Sequence, residues 1–205
     1  MIVAFYHHPA PGAPMEYDYD AMAKRLIHNC DALGYLPFHL CCKGGPQYDC
    51  SRFQVDANPE QIMLSRMKAY CAFAEEVSAA WYVDTDTIIQ KPLPDTASDV
   101  VLTWRPHKIL GSHYNGGVIY TKGPELWRRC LPAYPKEGDV WGGDQYAITN
   151  CIGDKEPGVY DFEGMTVEIW PCDPFNYSPE SADEDVKDKY IVHYKGHRKQ
   201  FMEVA

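Results

Sequence analysis

The 205-residue sequence is poor in basic residues, in long apolar runs and in cysteines at metal-ligand spacing, and each shortage excludes something. Nineteen Lys and Arg against 29 Asp and Glu leave a formal net charge of −10. That balance opposes tight non-specific binding to nucleic acid or an anionic membrane, because neutralising phosphates takes clustered cations. No stretch approaches the roughly 18 apolar residues of a transmembrane helix, so no membrane span is expected. The opening MIVAFYHHPAPG has five apolar residues before a His pair and prolines, and reads as neither signal peptide nor anchor. None of the eight cysteines forms a C-x-x-C, and the expectation is reduced thiols in the cytoplasm. Cys41, Cys42 and Cys50 with His7 and His8 have the wrong spacing for zinc, and buried small hydrophobes is the better reading. Internal repeats and low-complexity segments are also missing. So is a glycine-rich phosphate loop after the first apolar run, which argues against a nucleotidyltransferase.

What is present is an ordinary globular composition, 45% hydrophobic, of a length that suits a single compact domain. Ile2–Tyr6 reads as a strand. Residues 20–33 carry a helical apolar stripe stopped by Gly34, Tyr35–Cys41 reads as a second strand, and 42–55 reads as loop. Asn58-Pro59-Glu60-Gln61 predicts a capped helix start, with Met63, Met67, Tyr70 and Ala74 on one face. Ala79–Val83 is a buried-type strand ending in Asp84-Thr85-Asp86. Further strands are expected at Val100–Trp104, Gly117–Tyr120, Val159–Phe162, Val167–Trp170 and Tyr190–His193, and a helix around Gly142–Asn150. Alternating strands and helices predict an α/β fold with a Rossmann-like sheet.

Four segments can carry chemistry. The first is WYVDTDTII. On an extended strand residues i and i+2 project alike, so both carboxylates are expected on one face at the strand's carboxyl end, where open α/β sheets bind ligands. Two close oxygen ligands suit Mg²⁺ or Mn²⁺. A bare D-x-D is not diagnostic: the chain has three, at 18/20, 84/86 and 183/185, and only 84/86 sits between apolar runs. The second is His193-Tyr194-Lys195-Gly196-His197-Arg198-Lys199. Gly196 lets the backbone approach a ligand closely, the three cations suit a pyrophosphate, and His193 can add a nitrogen ligand to a metal; taken alone, the segment also fits an exposed basic tail. The third, Tyr114-Asn115-Gly116-Gly117-Val118, is a tight turn whose amides can face a ligand. In the fourth, Trp141-Gly142-Gly143-Asp144-Gln145, the acid and amide can either touch sugar hydroxyls or cap a helix.

The order D-x-D, NGGV, GGDQ, HxxGxxK resembles that of the family 8 glycosyltransferases and related retaining enzymes with the GT-A fold, over roughly residues 60 to 199. The resemblance implies a GT-A type, Rossmann-like mixed sheet flanked by helices. Residues 1–100 would form the nucleotide-binding half and 101–205 the donor-sugar and acceptor half. By that resemblance Asp84, Asp86 and His193 hold a divalent metal, with Asp84 also near the donor ribose, and Lys199 contacts the diphosphate. Asn115 lies beside the donor sugar, with Gly116 and Gly117 following it, and Asp144 and Gln145 sit near the anomeric carbon. Arg66 contacts donor sugar or phosphate, Tyr6 and His7 border the nucleobase, and VEIWPCDPFNYS is similar to the family's strand-then-Asn stretch. The implied donor is a UDP-sugar and the implied stereochemistry retention; an oxygen and imidazole ligand set favours Mn²⁺ over Mg²⁺. The glycine pair departs from the family's N-S-G or N-A-G, and the short chain leaves the acceptor open among glycan, protein, lipid and modified nucleobase.

Two other readings compete. Asp84-Thr85-Asp86-Thr87 also matches the D-x-D-x-T nucleophile motif of haloacid-dehalogenase-type phosphatases, although that motif normally ends a domain's first strand. A non-catalytic module that binds sugar nucleotides would keep the same pocket.

Overall fold

The first apolar run forms β1 (Ile2–Tyr6), followed by α1 (Tyr19–Ala32), β2 (Pro37–Cys42), β3 (Ser51–Val55), α2 (Ile62–Glu76) and β4 (Ala80–Val83). The structure is a computed structural model that describes residues 1–6, 17–42, 47–56, 58, 61–136 and 141–202. Asp18 caps α1 by accepting from the Ala21 amide at 2.9 Å; Met22, Ala23, Leu26 and Cys30 form its buried face. The chain leaves α1 through Gly34 at φ +73°, a conformation natural to glycine. The predicted stripe of α2 is buried, with Met67 at 0% exposure. Its start is corrected: α2 begins at Ile62 with no side-chain cap, and the Asn58 amide instead donates to Ser65 Oγ at 2.9 Å. Pro59 lies outside the described residues.

The second half contains β5 (Thr87–Ile89), β6 (Val100–Ile109), β7 (Ser112–Thr121), α3 (Glu125–Cys130), α4 (Gly143–Ile152), β8 (Gly158–Phe162), β9 (Met165–Pro171), the short α5 (Cys172–Phe175), β10 (Ile191–His193) and α6 (Lys199–Met202). Eight strands make a mixed sheet in the order β3-β2-β1-β4-β7-β6-β9-β8. β1 to β4 pair in parallel, and β7 inserts antiparallel between β4 and β6. Strand alternation splits the core in two. Val3 and Tyr82 pack with α2, α3 and α4 on one face, while Ile2, Ala4, Trp81 and Val83 pack with α1 on the other. β5 and β10 form a separate two-stranded sheet. No helix among the described residues is long and apolar enough to cross a membrane.

Three strand expectations are corrected. Residues 51–55, expected in a loop, form edge strand β3; its polar side chains are exposed, while Val55 is buried in the core and Phe53 packs against Phe73, 5.3 Å between centroids. β6 and β7 run well past the apolar segments that announced them: the outer end of β6 is exposed and needs no apolar run. Residues 114–118, expected as a tight turn, lie inside β7, whose outer half is buried with polar Ser112 and Asn115 in place of an apolar run. β5 was not expected, since three residues carry no readable period.

His39 on β2 is 3% exposed, and among the described residues neither ring nitrogen has a hydrogen-bond partner. Burial draws its pKa from 6.5 down to about 4, with Arg52 adding and Asp20 opposing. The unfolded chain therefore takes up this proton first as pH falls. The neutral ring's contribution is whole above pH 6.5 and drains away toward pH 4, a loss of about 2–3 kcal/mol. In urea melts, His39→Leu should lose that much less stability than wild type between pH 6.5 and 4.5; equal losses would contradict the burial account.

Candidate functional site

β4 delivers Asp84 to the carboxyl edge of the sheet, where its amide donates to the Gly117 carbonyl of β7 at 3.0 Å. The chain then turns, with Thr87 Oγ1 donating to the Asp84 carbonyl at 2.7 Å. The two aspartates thus flank a turn rather than share one face of an extended strand, which corrects the sequence expectation. They still converge, because β5 pairs with β10 and sets His193 opposite Thr87. His193 Nε2 lies 3.2 Å from Asp86 Oδ1 and 3.5 Å from Asp84 Oδ2. One ligand atom from each of the three residues falls within 4.8 Å of the others.

A buried chain of hydrogen bonds assigns the imidazole's tautomer. Thr103 Oγ1 has the Asn115 carbonyl as acceptor at 3.1 Å, and it accepts from Asn176 Nδ2 at 2.7 Å. Asn176 Oδ1 then faces His193 Nδ1 at 2.9 Å as an acceptor, so the neutral ring keeps its proton on Nδ1 and offers an Nε2 lone pair to a cation between it and the carboxylates. Three acceptors aimed at one another need a cation between them, and two oxygens with one imidazole nitrogen suit a divalent ion. The residues present fit such a metal.

The neighbouring charges are arranged around this cluster. From α2, Arg66 Nη1 donates to Asp84 Oδ1 at 2.6 Å and Nη2 to Asp144 Oδ2 on α4. Asp144 Oδ1 is buried without a hydrogen-bond partner among the described residues. Lys199 Nζ holds Asp86 Oδ2 at 2.6 Å, beside the Tyr17 and Tyr19 rings. Burial pushes the Asp86 carboxyl up, but His193 and Lys199 outweigh it and hold it well below the usual carboxylate range. For Asp84 burial prevails, reinforced by Asp86 and Asp144 against Arg66 and His193, and its pKa is raised.

The glycine pair has a steric reason. A Cβ on Gly116 would stand 2.6 Å from Asp144 Oδ2, and one on Gly117 would run into the His193 ring. Only glycine at 117 lets the imidazole lie against β7.

Other expected residues fall in varied places. Asn115 is buried, holding the Gly117 amide at 3.2 Å and pointing Nδ2 at Cys172 Sγ. Gln145 Oε1 accepts from Arg105 Nη2 at 2.7 Å. Gly196, at φ +55°, opens the turn that leads to Lys199. Tyr6 is buried in an aromatic cluster with Tyr19, His39 and Tyr48. His7 lies outside the described residues. Of the basic run, Arg198 is drawn off to Glu180 at 2.5 Å. Lys195 is held close instead: burial lowers its pKa to about 8, with Cys172 and the two aspartates opposing and Arg105 adding. Sequence reading missed Thr103 and Arg105, which sit inside a strand without a motif. Asn176 lay within the strand-then-Asn stretch, where only its role was unseen.

No family model matches this chain, and no curated protein matches it. Among solved structures, the chain is similar to a glycosyltransferase involved in the glycosylation of the major capsid of PBCV-1, with 15% identity, a TM-score of 0.60, and coverage of 99% of this chain and 98% of that one. At that identity the likeness is one of fold, and it bears out the expected GT-A type α/β architecture over the whole chain.

Asn176→Ala, which frees the imidazole to flip or turn, should weaken Mn²⁺ binding by roughly 10–100-fold in calorimetric titration. Gly117→Ala should do at least as much by displacing the ring, with the circular dichroism spectrum unchanged. Wild-type affinity in both variants would contradict the assigned ligand set.

Proposed function

We propose that the protein is a metal-dependent glycosyltransferase that takes a sugar from a nucleotide-sugar donor, a UDP-sugar on the resemblance to family 8, and transfers it with retention. The observation that carries the reading is the convergence of Asp84, Asp86 and His193 Nε2 at the carboxyl edge of β4. They sit in a sheet whose full-length structural counterpart is a glycosyltransferase. In this reading residues 1–100 carry the nucleotide and 101–205 the donor sugar and acceptor, with the C-terminal turn returning to the diphosphate.

Asp84, Asp86 and His193 would hold the metal, Mn²⁺ ahead of Mg²⁺ for a mixed oxygen and nitrogen set. A bound divalent ion offsets negative charge on a nucleoside diphosphate as it leaves. The chain's own residues do the rest. Lys199, 10% exposed and already aimed at the metal ligands, stabilises the same charge on the leaving phosphate oxygens. Lys195 adds a second cation from the same turn. Arg66 fixes Asp144 through its Oδ2, so that its other oxygen, Oδ1, can accept from a donor-sugar hydroxyl beside the anomeric carbon. Gln145, held by Arg105, presents its amide on the same side. Attack by the acceptor hydroxyl on the face from which the diphosphate departs gives retention.

The phosphatase reading finds less support. Its acid/base would be Asp86, whose carboxylate is ion-paired to Lys199, and its nucleophile Asp84, which is tied to Arg66.

Asp86→Ala should abolish metal-dependent hydrolysis of a UDP-sugar with the fold retained, and undiminished turnover would sink the assignment. Lys199→Ala should lower the rate by about 10²-fold; an unchanged rate would place that lysine outside the site. UDP at 100 times its dissociation constant should stabilise wild type by ~2.7 kcal/mol, only when Mn²⁺ is present. Stabilisation by phosphate with Mg²⁺, and by no nucleotide, would favour the phosphatase instead.

A further inference from the structure

Six large hydrophobic side chains stand exposed among the described residues, and four of them gather in one place: Ile109 and Leu110 at the tip of the β6–β7 hairpin, and Trp141 and Tyr146 around the start of α4. Trp141 is 73% exposed. The tip is a two-residue turn, Leu110-Gly111, with φ of +54° and +79°. Asn or Gly is the natural occupant of that first position, and a bulky residue there is an outlier that costs backbone strain. The β8–β9 hairpin turns the same way at Glu163-Gly164, with φ of +50° and +80°, so what sets this tip apart is its exposed apolar side chains.

The patch is also shaped. Leu110 lies over Gly142, where a Cβ would meet Leu110 Cδ1 at 2.6 Å, and a Cβ on Gly111 would stand 4.0 Å from Tyr146 Cδ2. Hairpin tip and helix start therefore form one surface, with Trp141 at its rim. That surface is continuous with the transfer site. Arg105 Nη2 donates to the carbonyls of Ile109 and Ser112, both at 3.3 Å, and to Gln145 Oε1 at 2.7 Å. The same guanidinium thus ties the hairpin tip to the residue beside Asp144.

We propose that this patch is the acceptor subsite, and that its occupant is a pyranose ring of a saccharide acceptor lying on Trp141 and Tyr146. The inference rests on the glycosyl-transfer reading. A pyranose has an apolar face of C–H bonds with slight positive charge, which suits the negative face of an aromatic ring. Its edge carries hydroxyls, which suit the polar groups that border the patch at Gln145. A lipid or a protein partner would instead call for a wider apolar surface without that polar inner edge.

The test uses the full chain labelled with 5-fluorotryptophan, in which the Trp141 resonance is identified by its loss in Trp141→Phe. Methyl glycopyranosides of glucose, galactose, mannose, fucose and N-acetylglucosamine are titrated in the presence of UDP and Mn²⁺, and UDP binding is followed separately by calorimetry. At least one glycoside should move the Trp141 resonance. Trp141→Ala should weaken binding of that glycoside, read from its own saturation-transfer signal, by roughly tenfold, Trp141→Phe should largely preserve it, and UDP binding should be equal in all three proteins. Intact UDP binding with no glycoside response would overturn the subsite and leave the donor reading standing. So would a Trp141 resonance that moves only with protein concentration alongside a dimer in sedimentation, because a second copy would then be the occupant. Loss of both UDP binding and glycoside response would overturn the subsite together with the donor reading.

Discussion

Three carboxylates share one edge of this sheet, and the chain must neutralise them to fold. Asp144 has 3% of its side chain exposed, Asp86 11% and Asp84 25%. Ionised groups so placed are costly unless paired and hydrogen-bonded. The protein meets this with cations brought from far along the chain. Arg66 spans Asp84 and Asp144 from α2, and Lys199 reaches Asp86 from the C-terminal turn. Removing either partner would leave a buried charge uncompensated, so the same contacts that prepare the site also hold the sheet's edge together.

The residual deficit lies where the metal ligands meet. Arg66 takes one oxygen of Asp84 and Lys199 one oxygen of Asp86, while the other oxygen of each carboxylate turns toward His193 Nε2. Asn176 and Thr103 behind the ring hold His193 Nδ1 and so aim Nε2 at those two oxygens. The arrangement is pre-organised for an added cation, and for an anion that could draw Lys199 away from Asp86. In the proposed reading a metal-bound diphosphate meets both demands.

How much of this was legible in the sequence depended on how local each signal was. The apolar stripe of α2 and the buried run of β4 declared themselves, because burial on a helix or central strand imposes a period or a continuous run. Asp84, Asp86, His193 and Lys199 were found from the order of their motifs, and the structure brings them together. Edge strand β3, the three-residue β5 and the outer end of β6 were not read, since strands that are short or largely solvent-facing need few apolar residues; the outer half of β7 was not read because it buries polar Ser112 and Asn115. Arg105 and Thr103 were missed for a different reason: their roles exist only through partners dozens of residues away, which no local pattern records. The glycine pair at 116 and 117 looked like a departure from the family's pattern, yet its cause is steric and depends on Asp144 and His193.

The central claim is that one imidazole nitrogen and the two aspartates ligate a divalent ion. Pulsed electron paramagnetic resonance of the Mn²⁺-loaded protein tests it most directly. Nitrogen-14 coupling from a single directly bound imidazole is the predicted result, present in wild type and absent in His193→Gln at matched Mn²⁺ occupancy. Bound Mn²⁺ with no nitrogen coupling, or coupling that survives in His193→Gln, would contradict it.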